Sequence, residues 1–157
     1  MPSAVARIRR FHRAVTRETG ALDTSFLGRG RPLGPARVLN AIGQGMEEIG
    51  EIRGYLNLDS GLMSRLLRQL EGEGLLETLP DPADSRRRLA RLTEAGRREY
   101  AAYEALSDRQ AAEILSRHPR PQALLAAMDL VASALGRDGI TLAEVSPRDP
   151  RAVHCLQ

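Results

Sequence analysis

The side chains best suited to chemistry in this sequence are arginines. The stretch DPADSRRRLARLT, residues 81–93, follows a Pro/Asp turn signal with Arg86, Arg87 and Arg88, and only then settles into an apolar-containing strand. A solvated turn needs no such cluster, whereas a guanidinium presents a planar fork of donors that fits phosphate oxygens and the edge of guanine. A second set lies upstream. Gly61, Ser64, Arg65 and Arg68 recur at i, i+3, i+4 and i+7, one face of a helix, with Ser60 beside them at its start. That face is small and polar at its N-terminal end and cationic further along.

Charge is distributed unevenly along the chain. The net charge is +3, yet residues 86–98 hold six Arg against one Glu, and residues 38–85 hold three Arg against nine acids. Concentrated cation attracts polyanions even where the net charge is small. Other chemistries lack their residues. Cys155 is the single cysteine, which rules out an internal disulfide or a cysteine metal cluster, and His12, His118 and Cys155 are too scattered for a zinc site. The sequence holds no GxSxG, no HExxH and no phosphate-binding Gly loop, since LGRGRPLG at 27–34 lacks the strand and helix around one. Neither a signal peptide nor a bilayer-spanning run is present, so the expectation is a cytoplasmic protein that binds rather than catalyses, with no cofactor, no metal and no membrane partner.

The elements that must position these arginines are mostly helical. With 3% aromatic residues and no Trp, the core has to come from Leu, Ile, Val, Ala and Met. Val5, Ile8, Phe11, His12, Val15 and Leu22 predict an amphipathic helix over 5–24, and the Gly/Pro punctuation of 27–34 a loop. Ala36, Val38, Leu39 and Ile42 predict a short buried helix ended by Gly43 and Gly45; Ile49, Ile52 and Leu56 predict another over about 47–56, weakened by Gly50 and Gly54. Asp59 is the expected N-cap of a helix running to about Glu71, with Leu58 stapled on Met63 and with Leu62, Leu66 and Leu70, joined by Leu67, buried. Strands at about 75–79 and 89–92 make a hairpin with Arg86–Arg88 at its tip. Thr93 caps a long helix through Arg117, His118-Pro119 breaks it, and a last helix over about 121–135 carries Leu124, Met128, Val131 and Leu135 on one side.

Two short helices, a helix with a polar-cationic stripe and then a basic hairpin describe a winged helix-turn-helix. Ser60, Gly61, Ser64, Arg65 and Arg68 would face base edges in a major groove while Arg86, Arg87 and Arg88 reach along the duplex to phosphate or a narrow minor groove. Asp84 has two readings: it closes the turn through its own backbone, or it pairs with an arginine and holds the wing in shape.

The run PARVLNAIGQGMEEIGEIRGYLNLDSGLMSRLLRQLEGEGLLETLPDPADSRRRLARLTEAGR, 35–97, resembles the MarR family of transcription regulators, whose wing pattern of Asp, any residue, Arg, then Leu-Thr-x-x-Gly is met by Asp84, Arg86, Leu92, Thr93 and Gly96. The resemblance implies a bacterial, mainly α homodimer occupying 1–136, with the winged helix-turn-helix at about 36–96 flanked by dimerisation helices at about 5–24 and 94–135. On that reading Val5, Ile8 and Val15 with Leu124, Met128, Val131 and Leu135 meet a second copy. It further implies a repressor on a pseudo-palindromic operator, released by a small, often phenolic, effector held between the dimer base and the DNA-binding lobe; with so few aromatics the effector class stays open. Ser85 departs from the family by standing where a basic residue is common, and no N-terminal cysteine suggests peroxide sensing. The N-terminal text RFHRAVTRETGALDTSFLGRGRPLGPARVL is similar to a branch in which the regulator is fused to a GNAT-type acetyltransferase, and the text after Gly136, GITLAEVSPRDPRAVHCLQ, resembles the opening of such an enzyme; that resemblance would imply the regulatory half of a fusion, and the alternative is a disordered tail over 137–157. A winged helix used for protein interaction, its arginines merely solvated, is the remaining alternative.

Overall fold

The computed structural model describes residues 1–136, and the acetyltransferase-like text at 137–157 lies outside them. The chain divides into two compact units, Met1–Ala111 and a second beginning at Ala112. In chain order the elements are α1 (Ala4–Glu18), a 3-10 turn (Phe26–Gly28), α2 (Leu33–Gly43), α3 (Ile49–Leu56), α4 (Ser60–Gly72), β1 (Leu76–Pro80), β2 (Arg88–Leu92), α5 (Glu94–Ser116) and α6 (Pro121–Leu135).

In the first unit the core is aliphatic, built on Val38, Leu39, Ile52, Met63, Leu70 and Ala90, with Tyr103 entering from α5. It clamps α2, α3, α4 and the hairpin base together. The turn between α3 and α4 forms because Asn57 adopts the left-handed conformation (φ 53°), so that Leu58 N–H returns to the Arg53 carbonyl at 3.0 Å. Asp59 then caps α4, accepting the Leu62 amide at 2.8 Å. Losing this cap in Asp59→Ala is expected to cost about 1 kcal/mol of unfolding free energy, read by urea denaturation.

The hairpin is antiparallel, with Leu76 opposite Leu92 and Pro80 opposite Arg88. A third segment supports it: Glu48 bridges Leu89, and Ala90 N–H donates to the Glu47 carbonyl at 2.8 Å. Thr93 anchors the start of α5. Its hydroxyl donates to the Gly74 carbonyl at 2.7 Å and accepts the Gly96 amide at 3.0 Å.

Several expectations need correction. The first helix stops at Glu18, where the Thr19 hydroxyl turns back onto the Val15 carbonyl and Gly20 takes a positive φ, leaving Leu22 outside the helix and exposed. The second begins at Leu33, since Pro32 fits the position before the first helical turn, so 27–34 is not all loop. The third starts at Ile49, because Glu48 is spent on capping it. The buried stripe of α4 is Met63, Leu66, Leu67 and Leu70, while Leu62 is half-buried. At 100° per residue Leu62 falls about 90° from the centre of that stripe, so it meets the core edge-on. β1 begins at Leu76, after a buried Leu75, and Arg88 belongs to β2 rather than to the tip.

In the second unit Pro121 stands at the first position of α6, where its missing N–H costs nothing. This helix is largely apolar yet buries no residue: Leu124 and Val131 are half-buried, Met128 and Leu135 exposed.

Candidate nucleic-acid interface

The exposed side of α4 lies opposite its buried stripe. Gly61, Ser64, Arg65 and Arg68 are all exposed there, with Ser60 at the helix start. The Arg68 Nε donates to the Ser64 carbonyl at 3.3 Å, which lays the guanidinium along the helix.

The wing is shaped by its acids acting on backbone. Asp81 Oδ1 accepts the Ala83 amide at 2.8 Å and Asp84 Oδ1 accepts the Arg86 amide at 3.0 Å. Arg87 N–H reaches the Asp84 carbonyl at 2.9 Å, and Asp81 N–H reaches the Arg87 carbonyl at 3.0 Å. Of the two readings of Asp84, the turn through its own backbone is the one observed. These bonds close the tip without using an arginine side chain.

The three arginines of the wing have different surroundings. Arg86, like Arg65 on α4, has no side-chain hydrogen bond or ion pair among the described residues. Arg87 lies 3.6 Å from a Glu48 oxygen and 3.4 Å from a Glu51 oxygen. Arg88 donates to the Thr78 hydroxyl at 2.6 Å, and Thr78 gives its hydroxyl proton and its amide to Glu71 at the end of α4, at 2.6 and 3.1 Å. Strand alternation accounts for this. Arg88 sits on the same face of the hairpin as Ala90 and Leu92, the face turned toward the core and α4.

A cleft of about 680 Å³ brings the two arginine sets together, lined by Ser64 and Arg68 from α4, by Arg86, Arg87 and Arg88, and by Glu48 and Gly50 at the start of α3. Ser60, Gly61 and Arg65 do not line it. Glu48 is held below the usual carboxylate range first by the Gly50 amide, with the Glu51 amide and Arg87 adding to this against its partial burial. It is therefore ionised.

Glu48, Glu51, Glu71 and Thr78 all escaped the sequence reading. Glu48 left one signal, an acid just before an apolar run at helical spacing, hidden because the helix was expected to begin about two residues earlier, at 47.

The segment 27–34 also holds more than a loop. Arg31 bridges Glu73 at 2.7 Å and Glu99 at 2.5 Å and donates to the Tyr103 hydroxyl at 3.3 Å, while Arg29 pairs with Glu99 as well. Burial alone would lower the Arg31 pKa, but bonds to Tyr103, Glu99 and Glu73 outweigh it and the value is raised. Glu99 is lowered, chiefly by Arg29. Phe26 stacks on Tyr103, ring centres 5.9 Å apart. Beside this stack lies a cavity of about 220 Å³ whose walls include Phe26, Tyr55, Tyr103, Arg37, Asn40 and Glu104. Three of the five Phe and Tyr residues of the chain line it. Among the described residues no helix is long and apolar enough to cross a membrane, and no group of three or more His, Cys, Asp or Glu is placed to hold a metal ion.

Residues 36–96 match the family described as winged helix DNA-binding domain. A comparison by sequence with curated proteins finds no match. Among solved structures the chain is similar to FabT of Streptococcus pneumoniae in complex with DNA, with 16% identity, 82% of this chain and 93% of that one covered, and a TM-score of 0.68. It is similar to a MarR-family transcriptional regulator from Rhodococcus sp. RHA1, at 21% identity, 86% and 97% coverage and a TM-score of 0.68. It also resembles CouR from Rhodococcus jostii RHA1 bound to p-coumaroyl-CoA, at 23% identity, 85% and 92% coverage and a TM-score of 0.63. At such identities the likeness establishes the fold. The chain therefore carries a winged helix DNA-binding domain at residues 36–96, set in the fold of the MarR-family transcriptional regulators.

Proposed function

We propose that this chain is a ligand-responsive bacterial repressor that binds a pseudo-palindromic duplex as a homodimer in the cytoplasm. The observation that carries the reading is the shared cleft: Ser64 and Arg68 of the recognition helix and Arg86 of the wing border one concave surface in which four arginines outnumber two carboxylates, Glu48 and Glu71. In this reading α4 enters the major groove, where Ser60, Gly61, Ser64 and Arg65 meet base edges and Arg68 the backbone, while Arg86 extends to the neighbouring phosphates or minor groove. Arg88 supports the wing from its root, through Thr78, at the edge of that contact.

Dimerisation is supported by the apolar stripes left uncovered in a single copy. Val5 is 64% exposed and Ile8 56%, with Val15 on the same side of α1, and Met128 and Leu135 of α6 are open to a partner, which would also finish burying Leu124 and Val131. An effector is supported by the aromatic-walled cavity at Phe26, Tyr55 and Tyr103.

Selection of bound sequences from random duplexes with the purified protein tests the reading. Inverted half-sites spaced by about one helical turn or a multiple of it are expected. On a selected site Arg65→Ala is expected to cost about 1 to 3 kcal/mol and to relax base preference, and affinity should fall steeply with salt. A flat salt response, with no enriched sequence, would favour a protein-interaction module instead.

A further inference from the structure

Arg87 lies beside acid at the surface, its side chain 47% exposed. Glu48 and Glu51 both belong to the start of α3, and Glu48 shares the cleft with the recognition helix and the wing. A carboxylate in a surface meant for phosphodiesters repels its ligand, which raises the question of why Glu48 is there at all. Its two oxygens accept the Gly50 amide at 2.9 Å and the Glu51 amide at 2.8 Å, so it caps α3. Gly50 makes room for that cap, since a Cβ there would stand 3.0 Å from Glu48 Oε2. The acid is structurally needed and electrostatically adverse.

The wing, by contrast, does not depend on the Arg87 side chain for its shape. Asp81 and Asp84 close the tip through backbone amides, the Glu47 carbonyl holds Ala90, and Arg88 fastens the root to Thr78. What the Arg87 guanidinium adds is positive charge beside two carboxylates.

We infer that Arg87 supports DNA binding by neutralising the acidic cap of α3, Glu48 with Glu51, at the border of the DNA-facing cleft, and not by contacting phosphate. The inference rests on the DNA-binding reading above. It divides the Arg-Arg-Arg run into three tasks: contact by Arg86, charge compensation by Arg87 and support of the hairpin root by Arg88.

The test uses the full chain and a fluorescent duplex carrying a selected site, with affinity followed against salt. The proteins compared are the parent, Arg86→Ala, Arg87→Ala and the triple variant Arg87→Ala/Glu48→Gln/Glu51→Gln, in which Gln keeps an acceptor for the α3 cap but carries no charge. Arg87→Ala is expected to bind about tenfold more weakly, because Glu48 in the cleft and Glu51 beside it are left without their cation. The triple variant should return to within about threefold of the parent with an unchanged salt slope, whereas Arg86→Ala should lose about one unit of slope, the signature of a lost phosphate contact. A triple variant that stays as weak as Arg87→Ala, with its slope reduced by about one, overturns the inference. Should the triple variant melt early, Arg87→Ala/Glu51→Gln leaves the cap intact and must recover part of the loss; no recovery is likewise fatal. A parent that binds no duplex at any salt defeats the underlying DNA-binding reading instead, an outcome visible before any variant is compared.

Discussion

Gly96→Ala is expected to destabilise the protein by about 3 kcal/mol or more, the upper part of the range for overpacking, because the clash is with backbone. A Cβ at this position would stand 1.8 Å from the Leu75 carbonyl oxygen and 2.9 Å from its carbon. Retreat is blocked. The same Leu75 oxygen accepts the Thr93 amide at 3.1 Å, and the Thr93 hydroxyl holds the Gly74 carbonyl, so moving the first turn of α5 away breaks both. Gly54 supplies the opposite sign in the same molecule. It lies inside α3 with nothing within 4 Å of a built Cβ, and Gly54→Ala should stabilise by about 0.5 to 1 kcal/mol through helix propensity and a less flexible unfolded chain. Chemical denaturation of the two variants beside the parent checks both; a Gly96→Ala protein as stable as the parent would refute the close approach of α5 to Leu75.

Removing Arg31 is the second large effect. Its side chain is 14% exposed and that of Glu99 11%, so Arg31→Ala strips one partner from a nearly buried pair. The expected loss is about 3 kcal/mol, the low end for breaking such a pair because Arg29 still holds Glu99, and it should appear as a melting temperature roughly 6–12 °C lower. The contribution has a definite pH dependence. Glu99 is lowered below its ordinary value of 4.5 in the folded chain, so the stabilisation it carries is complete above that value and disappears as pH falls through the lowered one. The parent should therefore lose stability on acidification more steeply than Arg31→Ala does. Equal acid sensitivity of the two proteins would show that the pair contributes little. Arg31→Lys should fall between them, since an ammonium lacks the fork that reaches Glu73, Glu99 and Tyr103 together.

Much of the site follows from local chemistry. Asp59 as a cap, Thr93 as the start of α5, the Pro/Asp turn and the helical spacing of Ser64 and Arg68 all act within about one turn of chain, where residue type and distance along the sequence suffice. The resemblance at 35–97 included Gly96, but only the structure supplies the reason for it, a backbone approach between α5 and Leu75.

Where sequence reading failed, the cause was separation along the chain. Arg31 meets Glu73 across 42 residues and Glu99 across 68, and Arg87 meets Glu51 across 36; no spacing rule links such pairs. Leu62 failed for a subtler reason, since a repeat of four residues drifts 40° per step around a helix and only the packed neighbours decide where the stripe is centred.

By itself the sequence determined the order and type of the elements, the caps that begin α4 and α5, and the existence of two cationic surfaces, because these depend on interactions between residues a few positions apart. Only the tertiary structure decided that the surfaces border a single cleft, that Arg87 answers two carboxylates while Arg86 remains open, and that Arg31 sits among distant acids. Those facts depend on which backbone segments pack side by side, and packing is settled by the whole aliphatic core at once rather than by any one stretch of it.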